Sequence, residues 1–153
     1  MFDRRLALVV LLAAITALSI GGCKKYRAKF GGITVENPKP GTPEDVVQRV
    51  FKAAAEKDEA KGWETFKKML HPDTAHNQLA YSNWRRFSWA RLRKHYRGYL
   101  KDASKFTFKI KRWDADQKNY RKLFIEHKTK ENPTPILLKK NSKGEWMVMN
   151  SSL

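Results

Sequence analysis

The chain has a single cysteine, Cys23, among its 153 residues. With no second thiol there is no internal disulfide, so the fold must be held by its core. Acidic residues are scarce beside basic ones, 15 Asp and Glu against 32 Lys and Arg, for a formal net charge of +17. An excess of that size speaks to partners rather than to fold, and it points to polyanions: phospholipid headgroups, lipopolysaccharide phosphates, acidic polysaccharide or nucleic acid. Neither a Gly-rich phosphate loop nor a G-x-S-x-G elbow occurs, and no internal repeat or low-complexity segment is visible. Long apolar runs are missing too, apart from residues 6–20. That run falls short of the roughly 20 residues wanted for a comfortable transmembrane helix, and Thr16 and Ser19 dilute it further.

What is present starts with that run. Met1 to Arg5 is a short basic n-region carrying Arg4 and Arg5; Leu6 to Ile20 is the apolar stretch; Gly21 and Gly22 offer an uncrowded backbone to a peptidase just before Cys23. The order of parts favours a cleaved export signal over an anchor helix. Ile20-Gly21-Gly22-Cys23 resembles the lipobox of bacterial lipoproteins. The resemblance implies export, cleavage before Cys23 and a membrane anchor of lipid on that residue, with residues 1–22 as the signal peptide. In this family an aspartate directly after the cysteine tends to retain the product in the inner membrane; here that residue is Lys24, so the resemblance leans toward an outer-membrane location with the domain in the periplasm, the inner membrane and the cell surface being the alternatives. Two or three acyl chains at about 0.8 kcal/mol per methylene hold such a protein stably.

Loss of the leader leaves 30 basic and 14 acidic residues, a net charge of +16. Residues 23–41 read as a lipidated N-terminus and tether, with Lys24, Lys25, Arg27 and Lys29 followed by Gly31-Gly32 and by Pro38, Pro40 and Gly41. As flexible chain the tether spans on the order of 20 to 25 Å, and each basic residue near an anionic surface is worth about 1 kcal/mol. Phe30, Ile33 and Val35 alternate weakly, which leaves open a short strand docked on the domain.

One domain is expected from Thr42 to Leu153. Thr42-Pro43-Glu44-Asp45 is a helix start, with Thr as cap, Pro in the first turn and acids at the positive end of the dipole. Val46, Val47, Val50, Phe51 and Ala54 then give one buried face to about Lys57. A second helix is predicted from Glu59 to Leu70, with Asp58 as an interhelical cap and His71-Pro72 as the stop. Residues 77–101 fit a third. At 100° per residue Trp84, Trp89, Leu92, Tyr96, Tyr99 and Leu100 share an arc of roughly 160°, and Arg86, Arg93, Lys94, Arg97 and Lys101 share about 100° of the opposite side. Beyond Ser104 the period becomes alternating: Phe106, Phe108 and Ile110 against Lys105, Thr107, Lys109 and Lys111. Further strands are predicted at Tyr120–Lys128, Ile136–Lys139 and Glu145–Ser151, separated by turns at Asp114–Asn119, Asn132–Pro135 and Asn141–Gly144. The fold class is therefore α+β, with N-terminal helices packed on a curved antiparallel sheet.

Helices around Asp58, Gly62, Trp63 and Phe66, then a further helix, then a meander ending Lys143-Gly144-Glu145-Trp146-Met147-Val148, are similar to the nuclear transport factor 2-like superfamily over residues 42–153. That resemblance implies a cone with an apolar pocket, used by ketosteroid isomerases, cyclases and many non-catalytic binding modules. Fold alone does not choose among them. The long basic aromatic segment from Trp84 to Trp113 departs from the plan.

Candidates for catalysis are few. Asp114 and Asp116 fall in a turn, and His127 shares a strand side with Leu123 and Ile125, where an ordinary hydrogen-bonded core histidine is the commoner outcome. His71 and His76 flank Asp73, but without cysteine or a further ligand they do not make a metal set. No cofactor or metal is expected. The reading preferred is a non-catalytic, membrane-anchored envelope module, bound to the membrane through lipid on Cys23. Its candidate anion-binding residues are Arg86, Arg93, Lys94, Arg97, Lys101, Lys105, Lys109 and Lys111, facing anionic lipid, lipopolysaccharide or an acidic envelope protein. A ketosteroid isomerase-like or cyclase-like enzyme using His127 and an extracellular nucleic-acid binder are the alternatives.

Overall fold

A computed structural model describes residues 32–114 and 118–153. Cys23, the basic residues Lys24 to Lys29, Phe30 and Asp116 lie outside the described residues. The first element is a strand, β1 (Ile33–Val35). It docks through Val35, which is buried, and through Gln48, whose side-chain amide donates to the Glu36 carbonyl at 2.7 Å. The alternation of Ile33 and Val35 thus belongs to the sheet.

Helix α1 (Pro43–Ala55) starts as its sequence dictates: Thr42 Oγ1 accepts the Asp45 N–H, and Glu44 and Asp45 occupy the first turn. Helix α2 (Glu59–Lys67) is capped by Asp58, whose carboxylate accepts from the Ala60 and Lys61 N–H groups at 2.9 and 3.2 Å. It lies close on α1 because residue 62 has no side chain. A Cβ there would come within 2.7 Å of the Ala53 carbonyl oxygen. The predicted run to Leu70 stops short at Lys67, and Leu70 instead bridges in parallel to Val148. A single turn, α3 (Pro72–Ala75), follows. His71 caps it: Nδ1 accepts the Asp73 N–H at 3.1 Å and Nε2 lies 3.3 Å from the Lys140 carbonyl. The pair of contacts assigns the ring proton to Nε2.

The expected helix over 77–101 is corrected in two ways. It comprises α4 (Gln78–Asn83), a π-helical turn (Trp84–Ser88) and α5 (Trp89–Tyr99). Its last predicted residues belong to a strand, β2 (Leu100–Asp102), so Lys101 has no place on the helix. Strands β3 (Thr107–Trp113), β4 (Tyr120–Ile125), β5 (Thr134–Lys140) and β6 (Trp146–Ser151) form the predicted antiparallel meander. Phe108 pairs with both Val35 and Leu100, and Ile110 with both Ile33 and Ile125. Hence β1 runs along one edge of β3, while β2 and β4 follow one another along the other. Irregularities between Ile110 and Arg112 and between Leu137 and Leu138 shift the register. The outer edge of β6 is met by the chain after α2: Val148 donates to the Met69 carbonyl and accepts from the His71 N–H, at 2.7 and 2.8 Å.

The helices cover one sheet face, and the space between is filled by rings. Phe51, Phe66, Trp89, Tyr99 and Phe108 are all fully buried, with Phe51 5.9 Å from Tyr99 and 5.6 Å from Phe108 between ring centroids. Trp89 is buried even though its indole N–H has no acceptor among the described residues. An unmade hydrogen bond of that kind costs about 1–3 kcal/mol, and ring burial of about 1.5–3 kcal/mol together with aromatic contacts offsets it. At the end of α5, Gly98 lets the His127 ring pack against the helix; a Cβ at 98 would collide with three atoms of that imidazole. His127 in turn stands edge-on to Tyr99 at 4.6 Å.

Gly98→Ala should therefore lower stability by about 1–3 kcal/mol in urea unfolding, as overpacking does. Combined with His127→Ala the loss should be smaller than the sum of the two single losses. Additive losses would show that the two residues do not compete for space.

Candidate anion-binding face

Between Thr74 and Lys101 the chain carries no Asp or Glu and seven Arg or Lys, so no acid in this segment neutralises the helical face. The face begins where Asn77 Oδ1 accepts the Ala80 N–H at 2.9 Å and starts α4. Which side chains turn outward is then decided by two that turn inward. Trp84 and Trp89 are five positions apart, about 140° on an α-helix. Both are nevertheless buried and both pack on Phe66, at centroid distances of 4.9 and 5.0 Å. The π turn, closed by the Trp89 N–H donating to the Trp84 carbonyl, adds about one residue to the turn and brings the second indole back over the first contact. Asn83, Arg86, Phe87, Arg91, Lys94 and Arg97 are left exposed.

The cations predicted as one face do not have one fate. Arg86 and Lys94 are exposed and, with Arg91, have no hydrogen-bond or ion-pair partner among the described residues. Arg97 is exposed beside Tyr96, and the hydrogen bond from its Nε to the phenol oxygen at 3.1 Å raises its pKa. Arg93 instead turns toward α1, donating to the carbonyls of Glu56 at 2.6 Å, Ala54 at 3.4 Å and Lys57 at 3.5 Å. It is a cation at the negative end of α1, completing carbonyls that the helix leaves open.

Lys101, Lys105, Lys109 and Lys111 belong to the sheet and its β2–β3 turn. Lys105 pairs with Glu36 at 2.8 Å, a hydrogen bond that raises the lysine pKa. Lys109 lies on the exposed side of β3 opposite Thr34. Lys101 and Lys111 both grip Glu126, Lys111 at 2.6 Å. The hydrogen bonds from Lys101 and then Lys111 push the Glu126 carboxyl from 4.5 down to about 2. These two lysines are engaged with a carboxylate already, on the sheet face turned away from Leu100 and Ile125.

Some of the remaining positive charge lies over aromatic rings. Arg112 sits 3.7 Å and Lys122 5.2 Å from the Phe124 centroid, covering a ring that points out of the sheet, and Phe124 is buried as a result. Lys139 covers Tyr120, Lys140 covers Trp146, and Arg85 lies 5.1 Å from Trp63 while pairing with Glu59 at 3.6 Å. Arg91, Phe87 and Leu79 are features of the exposed face that the helical wheel passed over. The absence of acids from Thr74 to Lys101 was the available signal for Arg91; nothing local marks Phe87 as exposed.

The described surface holds open clefts of about 470 Å³ beside Glu36 and Thr42, about 400 Å³ between Arg49, Lys143 and Trp146, and about 230 Å³ over Leu137 and Asn150. His127 lines none of these. Its Nδ1 is 3.2 Å from both the Thr129 N–H nitrogen and Oγ1, and burial, followed by Lys130, lowers its pKa. Among the described residues no three His, Cys, Asp or Glu side chains gather as a metal set, and no helix is long and apolar enough to cross a membrane.

The Lys101–Glu126–Lys111 clamp gives a pH signature. Because the folded carboxyl is depressed, its stabilisation is complete above about pH 4.5 and is lost as the pH falls through about 2. Glu126→Gln should cost about 1 kcal/mol at neutral pH, small because both lysines are partly solvated, and the gap from the parent in urea titrations should close across that window. A gap unchanged down to pH 2 would rule out the clamp. Compared with known proteins, the chain matches no family model, no curated protein and no solved structure.

Proposed function

We propose that this chain is a lipid-anchored, non-catalytic module of the bacterial cell envelope, held through Cys23 and presenting a cationic helical face to anionic envelope components. Arg86, Arg91 and Lys94, exposed and without an ion-pair partner among the described residues, carry the second half of this reading. Within a face that also contains Arg97, charges without internal partners are available to an external anion. The leader and Ile20-Gly21-Gly22-Cys23 support the anchor, and Lys24 supports the outer membrane with the domain in the periplasm. The ring-filled interior and the hydrogen-bonded His127 support binding rather than catalysis. An acidic envelope protein, rather than lipid or lipopolysaccharide, is the other occupant this chemistry admits.

Mass spectrometry of the membrane fraction should find an acylated peptide beginning at Cys23, and Cys23→Ala should release the protein from membranes; retention of the variant would sink the anchor. Replacing Arg86, Arg91, Lys94 and Arg97 with Glu should abolish salt-sensitive binding to anionic lipid or lipopolysaccharide. The set omits Arg93, whose guanidinium completes α1, so loss of binding is separable from loss of fold by unfolding midpoint. Undiminished binding would remove the helical face from the proposal.

A further inference from the structure

Two large apolar side chains stand in solvent on the same helical path, Leu79 with 72% and Phe87 with 67% of its surface exposed. On an unbroken α-helix eight positions would set them about 80° apart. Four of the eight steps run into the π turn, whose longer repeat removes most of that angle and places Phe87 nearly in line with Leu79. Asn83 lies between them and is exposed. Arg86, Arg91, Lys94 and Arg97 follow the same outward side, with no acid anywhere from Thr74 to Lys101. The arrangement is an exposed apolar pair continued along the same side by cations that have no ion-pair partner among the described residues, on the outside of a helix whose other side is locked into the core by Trp84, Trp89 and Leu92.

We infer that this side of the helix is a membrane-docking surface whose occupant is an anionic lipid bilayer, with Leu79 and Phe87 entering the headgroup–acyl boundary and the cations meeting lipid phosphates. Charge complementarity selects an anionic surface, and the apolar pair selects a bilayer over a nucleic acid, whose phosphates need cations but offer no apolar layer to Leu79. Arginine and lysine suit such a surface because their stems lie along apolar surface while the charge stays at headgroup level. The inference rests on the anchoring reading for what brings the domain to a membrane. Docking would add orientation, laying the α4–α5 path flat against the lipid.

Asn83→Cys, in chain isolated from membranes of an expressing bacterium, tests it while leaving both apolar residues in place. Acylated Cys23 cannot react with a maleimide, so one polarity-sensitive fluorophore per chain should attach, at position 83. Ser142→Cys in the β5–β6 turn, also exposed, serves as control. On phosphatidylcholine vesicles containing phosphatidylglycerol, the probe at 83 should shift to the blue and be quenched by brominated lipid; the probe at 142 should do neither. High salt, or Leu79→Ser with Phe87→Ser, should reverse the shift. Equal, water-like emission from both positions on anionic vesicles would overturn the docking surface. An equal shift at 83 on adding duplex DNA instead of vesicles would overturn the bilayer as occupant. Two fluorophores per chain would mean that Cys23 is unmodified, a failure of the anchoring reading alone; the same comparison with Cys23→Ala then decides the docking surface.

Discussion

Phe66 receives two indoles that an α-helix could not deliver together. Trp84 and Trp89 reach it only because one turn between them is π-helical. Trp63 joins the same cluster, 5.7 Å from Trp89 and 5.7 Å from Tyr81, so α2, α4 and α5 are held by one aromatic contact group. From that group α5 continues without a loop into β2, which fixes the helix to the sheet through the Leu100–Phe108 pair. The outward face is a by-product of the inward one: the rotation that seats Trp89 also aligns the exposed apolar pair and turns Arg91 to solvent.

The basic excess is not a single property. Arg93 completes the end of α1, Lys101 and Lys111 clamp Glu126, Lys105 ties to Glu36, and Arg112 and Lys122 roof Phe124. These cations do the work that apolar lids or caps do in other proteins, and their charge is spent within the fold. What the molecule offers outward is the set on the helix, concentrated where acids are missing, together with scattered exposed lysines such as Lys52, Lys61, Lys68 and Lys143. A polyanion meets a local field set by that concentration, and the net charge of the chain is a poor measure of it.

Local chemistry made the first half of the domain legible. Thr42-Pro43 and Asp58 announced their helices because a cap is satisfied within three residues, and alternation announced the meander because strand period survives even with bulges. The failures all lie where a distant contact decides. A wheel at a constant 100° cannot contain the π turn, since that turn exists for Phe66, some twenty residues earlier in sequence. It therefore grouped Arg93 and Lys101 with Arg86, although one completes a neighbouring helix and the other lies on a strand. A glycine inside a helix carries no local sign of its purpose, and the reason for Gly98, the His127 imidazole, comes from the segment just after β4. Ile33 and Val35 were readable only as an open alternative, their partner β3 being more than seventy residues away.

The contact of Met69 to His71 with Val148 has a consequence for how this domain chooses company. An open strand edge recruits any extended chain, regardless of sequence. On the β6 side the backbone groups of Val148 that would template such recruitment are already occupied by the protein's own chain. At Val148 recognition falls to side chains, which discriminate by charge and shape, instead of to peptide groups, which every protein shares.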